Sequence, residues 1–205
     1  MVGSQMTTGS APATGGRLGG RDLINIGIYA ALYCVAMTVV GIFGYIPIVM
    51  FLLSVLCPLI CGIPFMMFMT RVKKPGMILI FNVLAGLFMW LTGMGFYTPL
   101  VSVATGIAAE LVWRAGGYRS SVAAVLAYAV LSVFIVGNYL PFFLDPSYLS
   151  STGQKIGQGY VEAIRPFLQG WLIPAEAVAC FVSGLVGGLI GRSVLRRHFQ
   201  KAGIL

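Results

Sequence analysis

Long stretches without charge are the feature that most constrains this chain. Residues 23–70, 75–109 and 120–144 contain no Asp, Glu, Lys or Arg, and residues 166–191 contain only Glu176. The hydrocarbon core of a bilayer is about 30 Å thick, so a helix that crosses it needs about 20 mostly apolar residues. A soluble fold needs charged side chains on its exposed faces, whereas this chain is 59% hydrophobic and only 9% charged. We therefore predict an all-α polytopic membrane protein.

Turn-forming and basic segments divide the apolar sequence into six predicted transmembrane helices. The predicted spans cover residues 22–42, 48–70, 76–93, 97–113, 120–143 and 167–191. Pro58 and Pro64 interrupt the second span, and because proline cannot donate a backbone hydrogen bond, they predict a kink or a short separate helix over 47–57. We predict one six-helix transmembrane domain. It covers residues 21–195, between a disordered leader (1–20) and a basic tail (196–205).

The Lys and Arg residues are distributed unequally between the two predicted sides. The leader with the adjoining Arg21, the turns at 71–75 and 114–119, and the tail with the preceding Arg192 contain eleven, whereas the opposite side contains only Lys155 and Arg165. Basic residues accumulate in cytoplasmic loops of membrane proteins. Both termini are therefore predicted to be cytoplasmic in a bacterial or archaeal cell membrane. The net charge of +8 is explained by these flanks, so nucleic acid is not an expected partner.

The sequence lacks the residues that several chemistries require. No GxxxxGK[ST] motif is present, so a partner subunit or an ion gradient must supply any energy. The single histidine, His198, lies in the basic tail, which leaves metal clusters and His-based catalysis without their usual groups. The four cysteines lie inside apolar spans and are predicted to be buried free thiols. We expect no enzymatic activity, no cofactor and no metal site.

A few polar residues lie within the predicted spans. Glu176 is predicted near the bilayer midplane, where a carboxylate is costly and suggests function; contact with a ligand or ion and a structural role both remain open. Glu110 is expected to pair with Arg114 one helical turn later. Asn82 is expected to form an interhelical hydrogen bond. Asn138 lies nearer the outer face, where contact with a ligand is more plausible.

Aromatic residues concentrate on the predicted outer side. Interfacial Trp and Tyr explain part of this excess, and an aromatic cavity would also suit a small ring-bearing ligand. The polar segment 145–165 is longer than an ordinary connection, and its glycines allow it to bend as a lid. We predict a substrate site beneath this segment. Its residues are Tyr97, Asn138, Tyr139, Trp171 and Glu176.

Small residues recur at a spacing of four on two of the predicted helices. The last span contains two such pairs, Gly184/Gly188 and Gly187/Gly191, and the first contains Gly27 and Ala31. Small residues let helix backbones approach closely in lipid. Internal packing and docking of another subunit are both consistent with this pattern.

The combination of these features resembles the S component of an energy-coupling factor (ECF) transporter. The segments Arg21-Asp-Leu-Ile-Asn-Ile-Gly-Ile-Tyr-Ala-Ala31 and Ala108-Ala-Glu110-Leu-Val-Trp-Arg114 are similar to S components of the MptD family. The similarity covers roughly residues 20–195. Six helices with cytoplasmic ends and a small-residue face on the first helix complete the resemblance.

The resemblance implies a function and a set of partners. An S component captures a vitamin or another micronutrient at the outer face and docks on a scaffold transmembrane subunit, which is tied to two cytoplasmic ATPases. ATP-driven toppling of the S component is thought to carry the substrate across. Its docking motif, Ala-x-x-x-Ala in the first helix, would correspond to Gly27-x-x-x-Ala31 here. The resemblance does not imply which substrate is bound.

Two other classes of membrane protein are alternatives to an S component. A stand-alone secondary carrier or channel would need an ion-coupling group, for which Glu176 is the best candidate. A membrane enzyme acting on lipids or peptides would need a polar catalytic cluster. One histidine outside the spans and five scattered acidic residues do not supply such a cluster.

Overall fold

The computed structural model describes the backbone of residues 18–201 and the side chains of residues 18–197. All regular structure in this range is helical. The α-helices are α1 (Gly20–Gly41), α2 (Pro47–Met69), α3 (Met77–Leu91), α4 (Tyr97–Ala115), α5 (Ser121–Ser132), α6 (Pro141–Leu144), α7 (Tyr148–Lys155), α8 (Gln158–Ile164) and α9 (Leu172–Lys201). Short 3₁₀ segments cover Ile42–Tyr45, Val133–Asn138 and Arg165–Phe167. Most of the predicted leader (1–17) and the end of the tail (202–205) lie outside the described residues.

The six longer helices form a closed ring in the order α1, α2, α9, α5, α4, α3 and back to α1. Buried aromatic side chains fill its interior, where Phe65 stacks on Tyr128 at 4.7 Å between ring centroids and meets Phe81 edge-on at 5.5 Å. Tyr33 of α1 packs against the same Phe81 ring at 5.2 Å. Large apolar side chains such as Leu111 and Val178 are exposed on the outside of the ring. An apolar outer surface of this kind is suited to lipid.

Four described helical segments are long and apolar enough to cross a membrane. They are Gly20–Tyr45, Pro47–Met69, Ser121–Leu144 and Leu172–Arg197. Helix α3 is apolar but has only 15 residues. Helix α4 contains several polar side chains, among them Ser102, Thr105 and Glu110. The all-helical membrane architecture is confirmed, whereas the number of six crossing helices stays a prediction.

Helix α2 runs without interruption through both of its internal prolines. The alternative of a separate short helix over 47–57 is therefore wrong. Proline removes one backbone hydrogen bond, and neighbouring helices in a membrane bundle can compensate for that loss. The Tyr128 hydroxyl on α5 donates to the carbonyl of Pro58 itself at 2.7 Å, which links the two helices at this proline without replacing the lost bond.

Helix α9 differs from the predicted last span at both ends. It begins at Leu172 rather than near 167, and it continues to Lys201 instead of ending near 191. The predicted basic tail from residue 196 thus extends the same helix as far as the structure describes it. Glu176 lies only four residues, about 6 Å, from the helix start. Glu176 therefore lies near the start of α9, and its depth in the bilayer stays a prediction.

The basic turns lie together at one end of the ring, which we call the basic end. Lys74 forms a 2.7 Å ion pair with Asp22 at the start of α1. At the same end, the Glu110 carboxylate near the end of α4 accepts a hydrogen bond from the Ile78 N–H at 3.1 Å. The opposite end carries the connections 42–46, 92–96 and 145–171, and we call it the aromatic end. Which of the two ends faces the cytoplasm stays a prediction.

The glycine pairs of α9 are used for internal packing. A Cβ added at Gly187 would overlap the carbonyl of Pro58 in α2, and one at Gly191 would lie 2.5 Å from the Gly62 carbonyl oxygen. A Cβ at Gly184 would overlap Ser132 of α5. These glycines therefore let α9 approach both of its neighbours closely.

Candidate functional site

The first two turns of α2 are the centre of a polar and aromatic cluster at the aromatic end. The Tyr139 hydroxyl donates to the Met50 carbonyl at 2.8 Å, and the Tyr160 hydroxyl lies 2.9 Å from the Met50 sulfur. The Phe51 ring lies between Tyr139, at 6.3 Å in a stacked arrangement, and Phe167, at 5.3 Å. These contacts bring α2, the residues after α5, helix α8 and the 3₁₀ segment before α9 to one place.

Glu176 lies in this cluster with an incompletely satisfied carboxyl group. The residue is only 5% exposed, and its Oε2 has no hydrogen-bond partner among the described residues. The Ser54 hydroxyl donates to the Phe51 carbonyl at 2.8 Å and also lies within hydrogen-bonding reach of the Glu176 carboxyl group. The Tyr139 phenol is close enough to interact electrostatically with the carboxyl group. Glu176 also forms no ion pair within the part of the chain that the structure describes.

A backbone acceptor of α2 has lost its usual donor at Ser54, the residue whose side chain lies near Glu176. In an α-helix the carbonyl of residue 54 accepts from the N–H of residue 58, but residue 58 is proline and has no N–H. Because α2 stays helical through this point, the Ser54 carbonyl lacks its usual helical donor. The cluster therefore contains more acceptors than donors.

The remaining predicted site residues lie in different surroundings. Asn138 accepts a hydrogen bond from the Thr98 hydroxyl at 2.8 Å, beside the half-buried Tyr97 at the start of α4. Trp171 is 56% exposed, and its indole N–H donates to Gln169 at 3.0 Å. The structure thus brings Tyr139 and Glu176 together. Asn138 bonds to Thr98, and Tyr97 is the residue that precedes Thr98 in the chain. Trp171 lies at the surface, where the interfacial preference of tryptophan explains its position.

The predicted lid segment 145–165 folds into helices α7 and α8. The Tyr160 hydroxyl of α8 donates to the Gly44 carbonyl at 2.8 Å, and the Tyr148 hydroxyl of α7 approaches the Gly93 carbonyl at 3.4 Å. Burial raises the pKa of Tyr160 to about 12, so its hydroxyl stays a donor at physiological pH. The segment therefore ties together two connections at the aromatic end. We call residues 145–165 the outer cap, after the outer side on which the distribution of basic residues predicts them to lie.

The predicted site did not include five members of this cluster, which are Met50, Phe51, Ser54, Tyr160 and Phe167. Ser54 is the one hydroxyl-bearing residue of the α2 sequence and lies four residues before Pro58. A hydroxyl-bearing residue four positions before a proline in an apolar helix predicts a polar position whose carbonyl lacks its helical donor. Nothing in the local sequence marks Met50 or Phe51, because both belong to a uniformly apolar run.

A separate open groove lies on the outside of the ring, between α1 and α3. Its volume is about 500 Å³, and its lining is almost entirely apolar. The lining residues are Gly27, Ala30, Ala31, Cys34, Val35, Thr38, Val39, Leu84 and Phe88. Gly27 and Ala31 are exposed, and a Cβ added at Gly27 would meet no atom within 4 Å. We call this surface the α1 groove.

Two other polar residues of the spans have structural roles. Asn82 donates from its amide nitrogen to the Ser102 carbonyl at 2.8 Å and to the Thr105 hydroxyl at 2.9 Å, which confirms the predicted bond between α3 and α4. Glu110 caps the N-terminus of α3, as described above. The predicted pair with Arg114 is absent from the described ion pairs, because the Glu110 carboxylate turns toward the free N–H groups of α3.

Taken together, the closed ring of helices with an apolar outside defines an integral membrane protein. The chain belongs to the family described as "Hypothetical bacterial integral membrane protein (Trep_Strep)", whose model matches residues 20–201. No curated protein and no solved structure matches the chain significantly. The family description places the protein in a bacterial membrane and names no activity.

Proposed function

We propose that this protein is the substrate-binding S component of an ECF-type importer. In this role it captures a vitamin or another small micronutrient at the aromatic end and delivers it inward together with a scaffold subunit and two ATPases. The observation that carries the proposal is the α1 groove, where the small residues of the first helix are exposed. The buried cluster around Glu176 supports the substrate-binding part.

The α1 groove supports docking because no packing contact within the described chain requires a glycine at position 27. Glycine in a helix interior costs roughly 1 kcal/mol relative to alanine. In α9 the close approach of neighbouring backbones offsets that cost, but no described atom approaches Gly27. Gly27 and Ala31 share one face, since residues four apart are neighbours on a helix. A helix of a scaffold subunit is the partner that would use the space.

The test is assembly with the proposed partners. The chain is co-expressed with the ECF scaffold subunit and ATPase pair of its source bacterium, and the complex is isolated through a tag on an ATPase. We expect wild-type chain in the complex and loss of at least nine-tenths of it for Gly27→Leu combined with Ala31→Leu. Leucine at both positions would fill the groove and hold a partner backbone away.

Ala104→Leu is the matched control, because Ala104 is also an exposed alanine but lies on α4, away from the groove. This variant should assemble like wild type. Melting temperatures of all variants in detergent show whether each still folds. A wild-type chain that fails to join the complex contradicts the proposal, as does a groove variant that assembles normally.

A stand-alone secondary carrier is the second candidate, and Glu176 is the observation that favours it. A buried carboxylate without a cationic partner can bind and release a proton or ion during transport. Such a carrier would work without ATPases. Isolation of the wild-type chain free of scaffold and ATPases, from cells that express all of them, would favour this alternative.

A further inference from the structure

We infer that the site around Glu176 takes a small organic cation that carries N–H donors on an apolar or aromatic body. This inference rests on the proposed function and adds the chemical class of the substrate. It is carried by the buried Glu176 oxygen without a donor, by the Ser54 carbonyl that lacks its helical donor and by the ring series that begins at Tyr139 near the carboxyl group.

The hydrogen-bonding groups of the cluster are unequally distributed. Among the described side chains and backbone, Glu176 Oε2 has no donor, and the Ser54 carbonyl lacks its helical donor because residue 58 is proline. The Tyr139 hydroxyl donates to the Met50 carbonyl. The Ser54 hydroxyl is within reach of Glu176, but its single proton is directed to the Phe51 carbonyl at 2.8 Å. A ligand that fits must therefore bring donors rather than acceptors.

The negative charge of the Glu176 carboxylate also favours a cationic ligand. No Lys or Arg among the described residues pairs with Glu176. An uncompensated carboxylate is costly in a low-dielectric interior, and a cation bound beside it removes that cost. An anionic ligand would instead place a second negative charge next to the first.

The aromatic side chains define the body of the ligand. Tyr139, Phe51 and Phe167 form a continuous series of ring contacts beside the carboxylate. Aromatic faces attract organic cations and pack well against flat or apolar groups. The combination favours a protonated amine, amidine or ring nitrogen on a carbon framework over a small inorganic ion.

The experiment uses charge-sorted metabolites as the probe. A deproteinised extract of the source bacterium is separated by ion exchange into cationic, neutral and anionic fractions. Each fraction is added to the purified full chain in detergent, and the melting temperature is measured. We expect the cationic fraction to stabilise wild type by several degrees and to leave Glu176→Gln unchanged, because Gln keeps the shape and removes the charge.

Glu162→Gln is the matched control, since Glu162 is an exposed carboxylate at the same end, on α8. It should respond like wild type. Without any fraction, Glu176→Gln should melt at or above the wild-type temperature, because an unpaired buried charge has been removed. A structural role for Glu176 predicts a lower melting temperature instead.

The outcomes distinguish a wrong ligand class from a wrong proposed function. Stabilisation by the neutral or anionic fraction overturns the cation class and leaves a substrate-binding protein. Equal stabilisation of wild type and Glu176→Gln by the cationic fraction overturns the role of Glu176. If no fraction stabilises the wild-type chain, the proposed substrate-binding function itself fails.

Discussion

At the scale of single residues, the carboxylates of this chain differ in what they contact. Asp22 pairs with Lys74, Glu110 caps α3, and Glu176 retains an oxygen without a donor. Asp145 lies on the outer cap, where the hydroxyl and N–H of Ser147 donate to it and hold its pKa below the usual range. Asp22, Glu110 and Asp145 thus each have a partner among the described residues, and Glu162 is exposed. Buried oxygens without a donor remain on Glu176 and on Glu110.

The role of Glu110 can be tested by separating its two possible partners. Glu110→Ala should destabilise the protein by about 1 kcal/mol, the usual effect of losing a helix cap, because the Ile78 N–H loses its acceptor. Glu110→Gln keeps an acceptor oxygen and should lose much less. Arg114→Ala should have little effect. The measurement is the melting temperature in detergent, and equal losses for Glu110→Ala and Arg114→Ala would restore the predicted intrahelical pair.

At the scale of helices, glycines are buried between helices in α9 but exposed in α1. Gly187 and Gly191 allow α9 to contact the backbone of α2, whereas Gly27 opens onto the α1 groove. The four-residue spacing is the same in both helices. Only the packing partner distinguishes an internal contact from an exposed face.

A pair of alanine substitutions makes this difference measurable. Gly187→Ala should lower stability by roughly 1–3 kcal/mol, since its Cβ would overlap the Pro58 carbonyl and force α2 and α9 apart. Gly27→Ala should leave the melting temperature unchanged or raise it, because the new Cβ meets no atom and alanine favours the helix. If Gly27→Ala is as destabilising as Gly187→Ala, the α1 groove is not an open surface.

The outer cap depends on a glycine between its two helices. Gly157 has φ +125°, a conformation that costs other residues on the order of 1–3 kcal/mol. Gly157→Ala should therefore loosen α7 and α8 and speed trypsin cleavage after the exposed Lys155. Gly159→Ala is the control, since Gly159 has no positive φ and an added Cβ there meets nothing within 4 Å. Unchanged cleavage of Gly157→Ala would show that the strain does not reach the cap.

At the scale of the whole molecule, the charged residues are distributed unequally between the two ends of the ring. The basic turns lie at one end with Asp22 and Glu110, and the outer cap at the other end carries Lys155 and Asp145 among its few charges. Basic residues favour the cytoplasmic side. The asymmetry should therefore set the orientation of the entire bundle.

Orientation can be measured with single added cysteines. Ser150→Cys in the outer cap should react with a membrane-impermeant thiol reagent in intact cells, whereas Lys73→Cys at the basic end should react only after the membrane is opened. The native chain is a suitable background, because its four cysteines are buried. Labelling of Lys73→Cys in intact cells would reverse the predicted orientation.

The sequence alone determined the membrane class, the positions of most helices and the separation of basic from aromatic segments, because each depends on local composition. It also identified Asn82 as an interhelical contact and Glu176 as an unusual carboxylate. Tertiary structure decided what these residues contact. The partner of Glu110, the inward direction of the α9 glycines and the proximity of Ser54 to Glu176 all depend on which helices are neighbours in the ring. Segments distant in the chain become neighbours only through packing, and a periodic apolar sequence does not encode that order locally.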